Sequence, residues 1–243
     1  MHSLILSLAT AVSVLSAAPQ EKLPADAVRV LIVTGVDHPG HHWKQTAPAI
    51  RTVLEQDKRF DVRIVEDPEF LAADAIFDYG VVLLHFKNYQ PVARMERVRE
   101  NLVNFVKQGK GLVLFHFACG AFEDWPEFAD LAGKVWDRKT SHDRRGPFTV
   151  QIIQPEHPIT RGMHDFQVDD ELYTCLTGHR EVEVLATARS KVTGKDHPMA
   201  FVFSYGKGRV FHTPLGHDVK VIETPSVAEL LRRGCRWAAG REP

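Results

Sequence analysis

Short apolar runs alternate with amphipathic stretches along the first half of the chain. Four apolar-rich runs predict strands, and they are residues 28–33, 60–65, 80–85 and 111–116. The first of them is the continuous apolar run expected of a strand buried on both faces. Three stretches between these runs have helical spacing, and they are residues 43–56, 68–77 and 92–106. This alternation predicts an α/β fold with an open, mostly parallel sheet and helices on both faces.

The second half of the chain has a different pattern. Its short strand candidates are residues 148–153, 181–186, 199–203 and 209–213. Gly206, Lys207 and Gly208 predict a tight turn between the last two strands. A final helix is predicted over residues 226–239. Because no repeat or interior linker separates the two halves, we expect one domain over residues 28–240, with some late strands extending the sheet and others forming hairpins.

The N-terminus has the pattern of a signal peptide. Residues 4–15 form an apolar segment, and Ser16, Ala17 and Ala18 supply the small residues of a cleavage site. Residues 1–3 contain no Lys or Arg, and a buried N-terminal helix is the alternative. We therefore expect a signal peptide over residues 1–18, a linker over residues 19–27, and an exported protein, either periplasmic or secreted.

Charge and composition exclude several classes of protein. The chain has 30 basic and 31 acidic residues, a formal net charge of −1, so no nucleic-acid partner is expected. No apolar run reaches the ~18 residues of a membrane span. Three cysteines are too few and too scattered for a disulfide scaffold or a cysteine-based zinc site. The unusual count is 13 histidines, since histidine titrates near neutral pH and is the commonest metal ligand.

Histidines recur where the predicted parallel strands end. They are His38, His41 and His42 after the first strand, His85 and His116 at the ends of the third and fourth, and His217 after residues 209–213. Each one alone is more typical of a surface or core position. Ligands of doubly wound sheets, however, bind at the carboxyl ends of the strands. The recurrence at four strand ends therefore predicts one shared functional site.

Two further segments carry candidate chemistry. Residues 111–120 do not match the G-x-C-x-G pattern of a nucleophile elbow, because His116 closes the strand and Cys119 lies three residues beyond it. Cys119 is therefore interpreted as a small residue at the start of a helix. Strand alternation would send Asp170 and Glu171 to opposite faces. One of them could act as a general base or ligand, and a solvated acidic loop is the alternative.

Seven short motifs follow one another along the chain. They are His38-Pro39 with His42-Trp43, residues 109–116, His157-Pro158-Ile159-Thr160, Asp170-Glu171-Leu172-Tyr173, residues 205–211, Leu215-Gly216-His217-Asp218 and Arg236-Trp237-Ala238. In this order they resemble the ThuA-like (trehalose utilisation) family over residues 30–240. The fold of that family is similar to class I glutamine amidotransferases. The resemblance implies a flavodoxin-like sheet and a link to sugar metabolism, with 3-keto sugars and glycosides as substrates. It does not imply amidotransferase chemistry, because the elbow cysteine is absent.

The leading hypothesis is a hydrolase, lyase or isomerase acting on a sugar derivative, a small-molecule carbohydrate. Imidazoles and a carboxylate would move protons on carbons next to a carbonyl, with His116 as the central base and Glu171 and His217 as its partners. The residues expected to bind the substrate are His38, His42, Trp43, His85, His142, Asp170, Tyr173 and Arg209. The alternative is a non-catalytic sugar-binding module in which Trp43, Tyr89 and Tyr173 contact a pyranose ring.

The same residues suggest a metal site. His116, Glu171 and His217 could form a three-ligand site with one open position, as in catalytic zinc centres. The ion could equally be another first-row divalent cation. No H-E-x-x-H motif is present, so these ligands would have to converge from distant segments. The hypothesis fails if His116 and His217 lie more than about 10 Å apart, because no single ion spans that distance.

Overall fold

The computed structural model describes residues 23–88, 90–139 and 141–243, so the predicted signal peptide lies outside the described residues. Within these ranges the strands are β1 (Val28–Val33), β2 (Phe60–Val65), β3 (Val81–Leu84), β4 (Gly111–Phe115), β5 (Val135–Trp136), β6 (Gly146–Ile152), β7 (Phe166–Asp170), β8 (Leu176–Thr177), β9 (Glu183–Arg189), β10 (Asp196–Tyr205) and β11 (Gly208–Thr213). The α-helices there are α1 (Trp43–Glu55), α2 (Met95–Lys107), α3 (Phe128–Ala132), α4 (Val219–Ile222) and α5 (Pro225–Ala238).

The main sheet has a parallel half and an antiparallel half. In the described residues it contains nine strands in the order β2-β1-β3-β4-β11-β10-β9-β6-β7. The first five of these run parallel, and the remaining pairs are antiparallel. The order of the parallel half matches the 2-1-3-4-5 order of flavodoxin-like folds. The predicted fold class is therefore confirmed, and the late strands extend the sheet as antiparallel neighbours.

Helices cover both faces of the sheet. Ile50 of α1 and Leu231 of α5 pack with Val30 and Ile32 of β1 on one face. Leu102 of α2 packs on the other face. The apolar positions of each helix repeat every three or four residues, which gives one buried stripe per helix. Both faces of the central strands β3 and β4 are therefore buried, which explains their continuous apolar runs, whereas the edge strand β2 alternates and exposes Arg63.

Local structure differs from the sequence prediction in two segments. Residues 68–77, predicted as one helix, form two 3₁₀ turns, because Ala73 between them is extended and the Asp67 side chain accepts a hydrogen bond from the Glu69 backbone N–H at 2.8 Å. Strand β7 was not predicted. Its acidic end, which includes Asp170, resembles a polar loop in sequence but pairs with β6.

The carboxyl ends of the parallel strands share one edge of the sheet. β11 pairs in parallel register with β4, so the residues after Phe115 and Thr213 emerge side by side. β1 and β3 end at the same edge. None of the helices in the described ranges has the length and apolarity that crossing a membrane requires. The edge formed by these strand ends is where the histidines converge.

Candidate functional site

His116 follows β4 directly and has an unusual backbone conformation. Its φ of +50° lies in the left-handed region, which residues other than glycine rarely adopt and which is concentrated at functional sites. The side chain is fully buried, and its Nδ1 lies 2.7 Å from the Pro214 carbonyl oxygen. Since a carbonyl only accepts, Nδ1 carries the proton and Nε2 has a free lone pair. The Tyr173 hydroxyl donates to this Nε2 at 3.2 Å.

Glu171 lies among three imidazoles. Its Oε2 is 3.3 Å from His217 Nδ1 and 3.7 Å from His116 Nε2, and its Oε1 is 3.7 Å from His142 Nε2. The carboxylate raises the pKa of His217. Burial favours the protonated form of Glu171, but the neighbouring imidazoles outweigh this effect and its pKa is lowered. Glu171 is therefore an anion beside three imidazole rings.

His41 completes the group; the sequence analysis counted it among the histidines at the strand ends but gave it no role of its own. Its ring centroid lies 4.7 Å from that of His116 and 5.0 Å from that of His217. His41 is 8% exposed, and its Nδ1 is buried without a hydrogen-bond partner. Burial lowers its pKa, so the imidazole is neutral.

One ligand atom from each of His41, His116, Glu171 and His217 lies within 4.8 Å of those of the other three. We call these four residues the donor cluster. The ring centroids of His116 and His217 are 5.5 Å apart, inside the ~10 Å limit that a shared ion sets. The cluster concentrates lone pairs and one negative charge at a single point, which suits either proton transfer or cation binding.

Asp170 holds part of the cluster in position. Its fully buried carboxylate accepts hydrogen bonds from the backbone N–H groups of Gly216 at 2.8 Å, Glu171 at 2.8 Å and His217 at 3.3 Å. Burial raises the pKa of Asp170 to about 7. Because its oxygens bind the backbone, Asp170 acts as a positioning residue, whereas the sequence analysis expected it to bind substrate.

An open depression of about 450 Å³ adjoins the cluster. Its lining residues are Asp37, His38, Pro39, His41, His42, Trp43, Lys44 and Gln45. The His38 ring stacks on that of His41 at 4.6 Å, while the indole Nε1 of Trp43 donates to Asp37 at 2.7 Å. The structure therefore places His38, His42 and Trp43 in the depression that leads to the cluster.

Other predicted substrate-binding residues have different surroundings. His85 is buried, and its Nε2 lies 2.8 Å from the Thr46 hydroxyl. Arg209 is at the start of β11, the end of the strand away from the cluster, and its guanidinium donates to the Trp237 carbonyl at 3.2 Å. The expectation that these two residues contact substrate is corrected, because His85 belongs to the core and Arg209 to the opposite edge.

The aromatic residues proposed to hold a pyranose ring are largely covered. Trp43 is 6% exposed and Tyr173 is 1% exposed, so neither presents an open face, and Tyr89 lies outside the described residues. Next to them, the His142 ring stacks on Tyr173 at 5.7 Å. His142 is half-buried and adjoins Glu171, which leaves it as the more accessible ring on this side of the cluster.

Lys87 also lies at this edge of the sheet and was not singled out in the sequence. Lys87 follows β3, is 8% exposed, and places its Nζ 3.3 Å from Glu123 and 4.2 Å from the Trp136 ring centroid. No motif marks it, since an isolated lysine after a strand is ordinary. Cys119 is buried in the 3₁₀ turn after β4, and burial raises the pKa of its thiol. This agrees with its interpretation as an unreactive small residue.

Comparison with known proteins identifies the family. The ThuA family, described as Trehalose utilisation, matches residues 29–238 of this chain. The chain belongs to the ThuA family. That membership implies a role related to trehalose utilisation. None of the curated proteins compared with the chain matches it.

Solved structures share the fold. A ThuA-like protein from Parabacteroides merdae is 26% identical with a TM-score of 0.78, and the match covers 89% of this chain and 91% of that one. A ThuA-like protein from Bacteroides uniformis is 21% identical with a TM-score of 0.71, covering 91% and 95%. A cytoplasmic protein from Salmonella typhimurium is 12% identical with a TM-score of 0.63, covering 89% and 100%. The last two likenesses concern the fold alone.

Proposed function

We propose that this ThuA-family protein is an enzyme that acts on a sugar derivative bearing a carbonyl group, such as a 3-keto sugar or glycoside, as a hydrolase, lyase or isomerase. The family's role in trehalose utilisation supports a carbohydrate substrate. The single observation that carries the proposal is the placement of His116. This residue is fully buried in a strained backbone conformation, with a fixed tautomer, at the centre of the donor cluster.

The donor cluster suits proton transfer next to a carbonyl. Removing such a proton leaves the electron pair of the broken C–H bond on the carbonyl oxygen as an enolate. The reaction requires a proton acceptor near the carbon and a positive or hydrogen-bonding group near the oxygen. If the carbon that lost its proton carries a hydroxyl group, transfer of that hydroxyl proton to the enolate oxygen and protonation of the former carbonyl carbon give an isomerase. If a group on the adjacent carbon instead takes up a proton and leaves, the reaction is that of a lyase.

The surroundings assign roles to the other predicted residues. We assign Glu171 and His217, 3.3 Å apart, as partners of His116 in moving the proton. His38, His42 and Trp43 line the depression through which a sugar would reach the cluster. His142 stands beside Glu171 on the other side and would contact a sugar hydroxyl. An exported location remains part of the proposal, since a signal peptide would deliver the protein to extracellular or periplasmic sugars.

The test is substitution of the central residue. His116→Gln and His116→Ala are assayed with a panel of keto-sugars and glycosides by NMR, next to the control His164→Ala at an exposed position away from the cluster. We expect turnover to fall by about 100-fold or more in the His116 variants, the usual effect of removing a group that moves protons. Full turnover by a folded His116 variant would overturn the proposal.

The same NMR experiment tests the sugar-binding alternative. If the wild-type protein shifts the resonances of a keto-sugar but forms no product, the non-catalytic module is the better description. The covered faces of Trp43 and Tyr173 favour the enzyme, because sugar-binding modules require accessible aromatic or polar surface in their pocket.

A further inference from the structure

The donor cluster has the composition of a transition-metal site. A tetrahedral ion with bonds of ~2.0–2.2 Å holds its ligand atoms ~3.3–3.6 Å apart. The cluster's donor atoms already lie within 4.8 Å of one another, so shifts of about an ångström would bring them to that spacing. We propose that His41, His116, Glu171 and His217 together bind one first-row divalent cation of the zinc class.

The protonation state of His116 is the one that a metal ligand requires. Its Nδ1–H points to the Pro214 carbonyl at 2.7 Å, which leaves Nε2 unprotonated. Metal-binding histidines usually donate their second ring nitrogen to a carbonyl or carboxylate in this way, which fixes the tautomer and the ring orientation. The Tyr173 hydroxyl, 3.2 Å from Nε2, has to rotate away when an ion takes that lone pair.

His41 supplies the independent observation. More than nine-tenths of this residue is buried, its Nδ1 has no hydrogen-bond partner, and its ring meets those of His116 and His217 edge-on. A buried polar atom without a partner costs about 1–3 kcal/mol, so native proteins rarely retain one unless it has a function. A cation between the three rings would give this histidine a partner.

The donor set selects the class of ion. Three imidazoles and one carboxylate suit zinc and its first-row neighbours, whereas Mg²⁺ and Ca²⁺ prefer shells of oxygen. The only carboxylate within the cluster is Glu171, so the site with a divalent ion carries one net positive charge. The nearby cation Lys87 is paired with Glu123 at 3.3 Å, which reduces its repulsion of an ion.

An ion would change the proton acceptor of the proposed function, because the Nε2 lone pair of His116 would bind the ion. The catalytic role of the ion rests on the proposed function: with four protein ligands, the ion would have to take the sugar carbonyl or a water as a fifth ligand, polarising the carbonyl or lowering the pKa of the water so that it accepts the proton. Binding of the ion does not rest on it. The two proposals are therefore separable by experiment.

The experiment is a metal titration of the full chain without sugar. The protein is stripped with EDTA, dialysed, and titrated by calorimetry with ZnCl₂, MnCl₂ and MgCl₂, and retained zinc is measured by mass spectrometry after gel filtration. We expect one equivalent of Zn²⁺ with submicromolar affinity and no measurable Mg²⁺ binding. Failure of the wild-type protein to retain zinc would overturn the metal proposal.

Matched variants test whether the ion lies in the cluster. Glu171→Gln keeps the size of the side chain, and His41→Ala removes the ring whose buried Nδ1 has no hydrogen-bond partner. We expect either variant to weaken Zn²⁺ binding by about 100-fold or more, beyond the 10–100-fold typical of losing an outer-shell partner. The control His164→Ala removes an exposed histidine that belongs neither to the cluster nor to the depression beside it, and it should keep wild-type zinc affinity. Circular dichroism confirms that each variant is folded.

The outcomes separate the two proposals. Wild-type zinc affinity in a folded Glu171→Gln variant places the ion elsewhere and overturns the metal proposal. Full turnover of a keto-sugar by the stripped protein in the presence of EDTA leaves the enzyme proposal intact but removes the catalytic role of the ion. Stoichiometric, cluster-dependent zinc binding without turnover of any sugar supports the metal site and contradicts the proposed enzyme.

Discussion

Asp170 fixes the backbone of His217 from the far side of the donor cluster. The carboxylate, at the end of β7, accepts the N–H of His217 at 3.3 Å and that of the preceding Gly216 at 2.8 Å. One antiparallel edge strand therefore positions the loop that follows β11, in the parallel half of the sheet. The geometry of the cluster depends on this link between the two halves.

Replacing Asp170 by Asn tests that link. An amide has one accepting oxygen, so a buried backbone N–H loses its acceptor, which costs about 1–3 kcal/mol. We expect the free energy of unfolding to fall by about this amount, and keto-sugar turnover to fall with it. The control is Asp169→Asn at the neighbouring exposed position, where the carboxylate only pairs with Arg145 at 3.5 Å. Equal stability of the two variants in urea unfolding would contradict the role of Asp170.

Gly216 is required by a positive φ and by a close contact. Its φ is +117°, and a Cβ at this position would lie 2.3 Å from Cζ of the buried Phe115. We expect Gly216→Ala to lower the free energy of unfolding by about 2–4 kcal/mol, from overpacking and backbone strain together. Gly162→Ala is the matched control, since its φ is +72° but a methyl group added there would have no neighbour within 4 Å. Thermal melting of both variants measures the difference, and similar losses would show that the contact is unimportant.

The parallel half of the fold was predictable because its strands are buried on both faces. β3 and β4 are continuous apolar runs, and β1 departs from one only at Arg29. Their short length, their β-branched residues and the Gly or Thr beside them indicate strands and not helices. β7 was missed for the opposite reason. Its inward positions are Phe166, Val168 and Asp170, and a buried aspartate is indistinguishable in sequence from an exposed one.

The site was predictable to the level of strand ends. Parallel topology brings His116 and His217 to one edge, and both lie in the cluster. His41, and not His42, reaches the cluster because of a turn in which the His41 N–H donates to the His38 carbonyl at 3.2 Å. With this turn the His41 side chain is buried and His42 is exposed. Pro39 and Gly40 at its centre are a turn signal, but they do not indicate which of the following histidines faces the cluster. Arg209 was assigned through a motif, although its place at the start of a parallel strand puts it at the other edge.

His212 should make folding stability depend on pH. Burial lowers the pKa of His212 to about 4. The hydrogen bond from its Nδ1 to the Ala132 carbonyl, at 3.2 Å, raises the pKa but by less than burial lowers it. In the unfolded chain the pKa of this histidine is near 6.5, so below that pH the unfolded chain binds more protons than the folded protein. The stability that His212 contributes is therefore lost as the pH falls from 6.5 towards 4. We expect a loss of about 2 kcal/mol between pH 7.5 and pH 5 from His212 alone.

Urea unfolding at the two pH values measures this contribution. His212→Gln cannot take up a proton, so its loss of stability between pH 7.5 and pH 5 should be smaller than that of the wild-type protein by about 2 kcal/mol. His179→Gln, at an exposed position, should keep the wild-type dependence. An unchanged pH dependence in His212→Gln would mean that His212 is protonated alike in the folded and unfolded chains.

Tyr173→Phe separates the hydroxyl from the ring at the centre of the site. The hydroxyl donates to His116 Nε2 at 3.2 Å, while the buried ring packs against Trp136 with centroids 5.3 Å apart. Phe keeps that packing, so we expect a loss of only about 1 kcal/mol in the free energy of unfolding. Because the hydroxyl competes with a cation for the Nε2 lone pair, zinc affinity should be equal or tighter. Keto-sugar turnover should fall about 10-fold, because His116 loses the hydrogen bond that helps to orient its ring. Tyr205→Phe, at the end of β10, is the control for both measurements. If Tyr173→Phe loses zinc as severely as Glu171→Gln, the phenol is itself a ligand and the four-residue donor set is wrong.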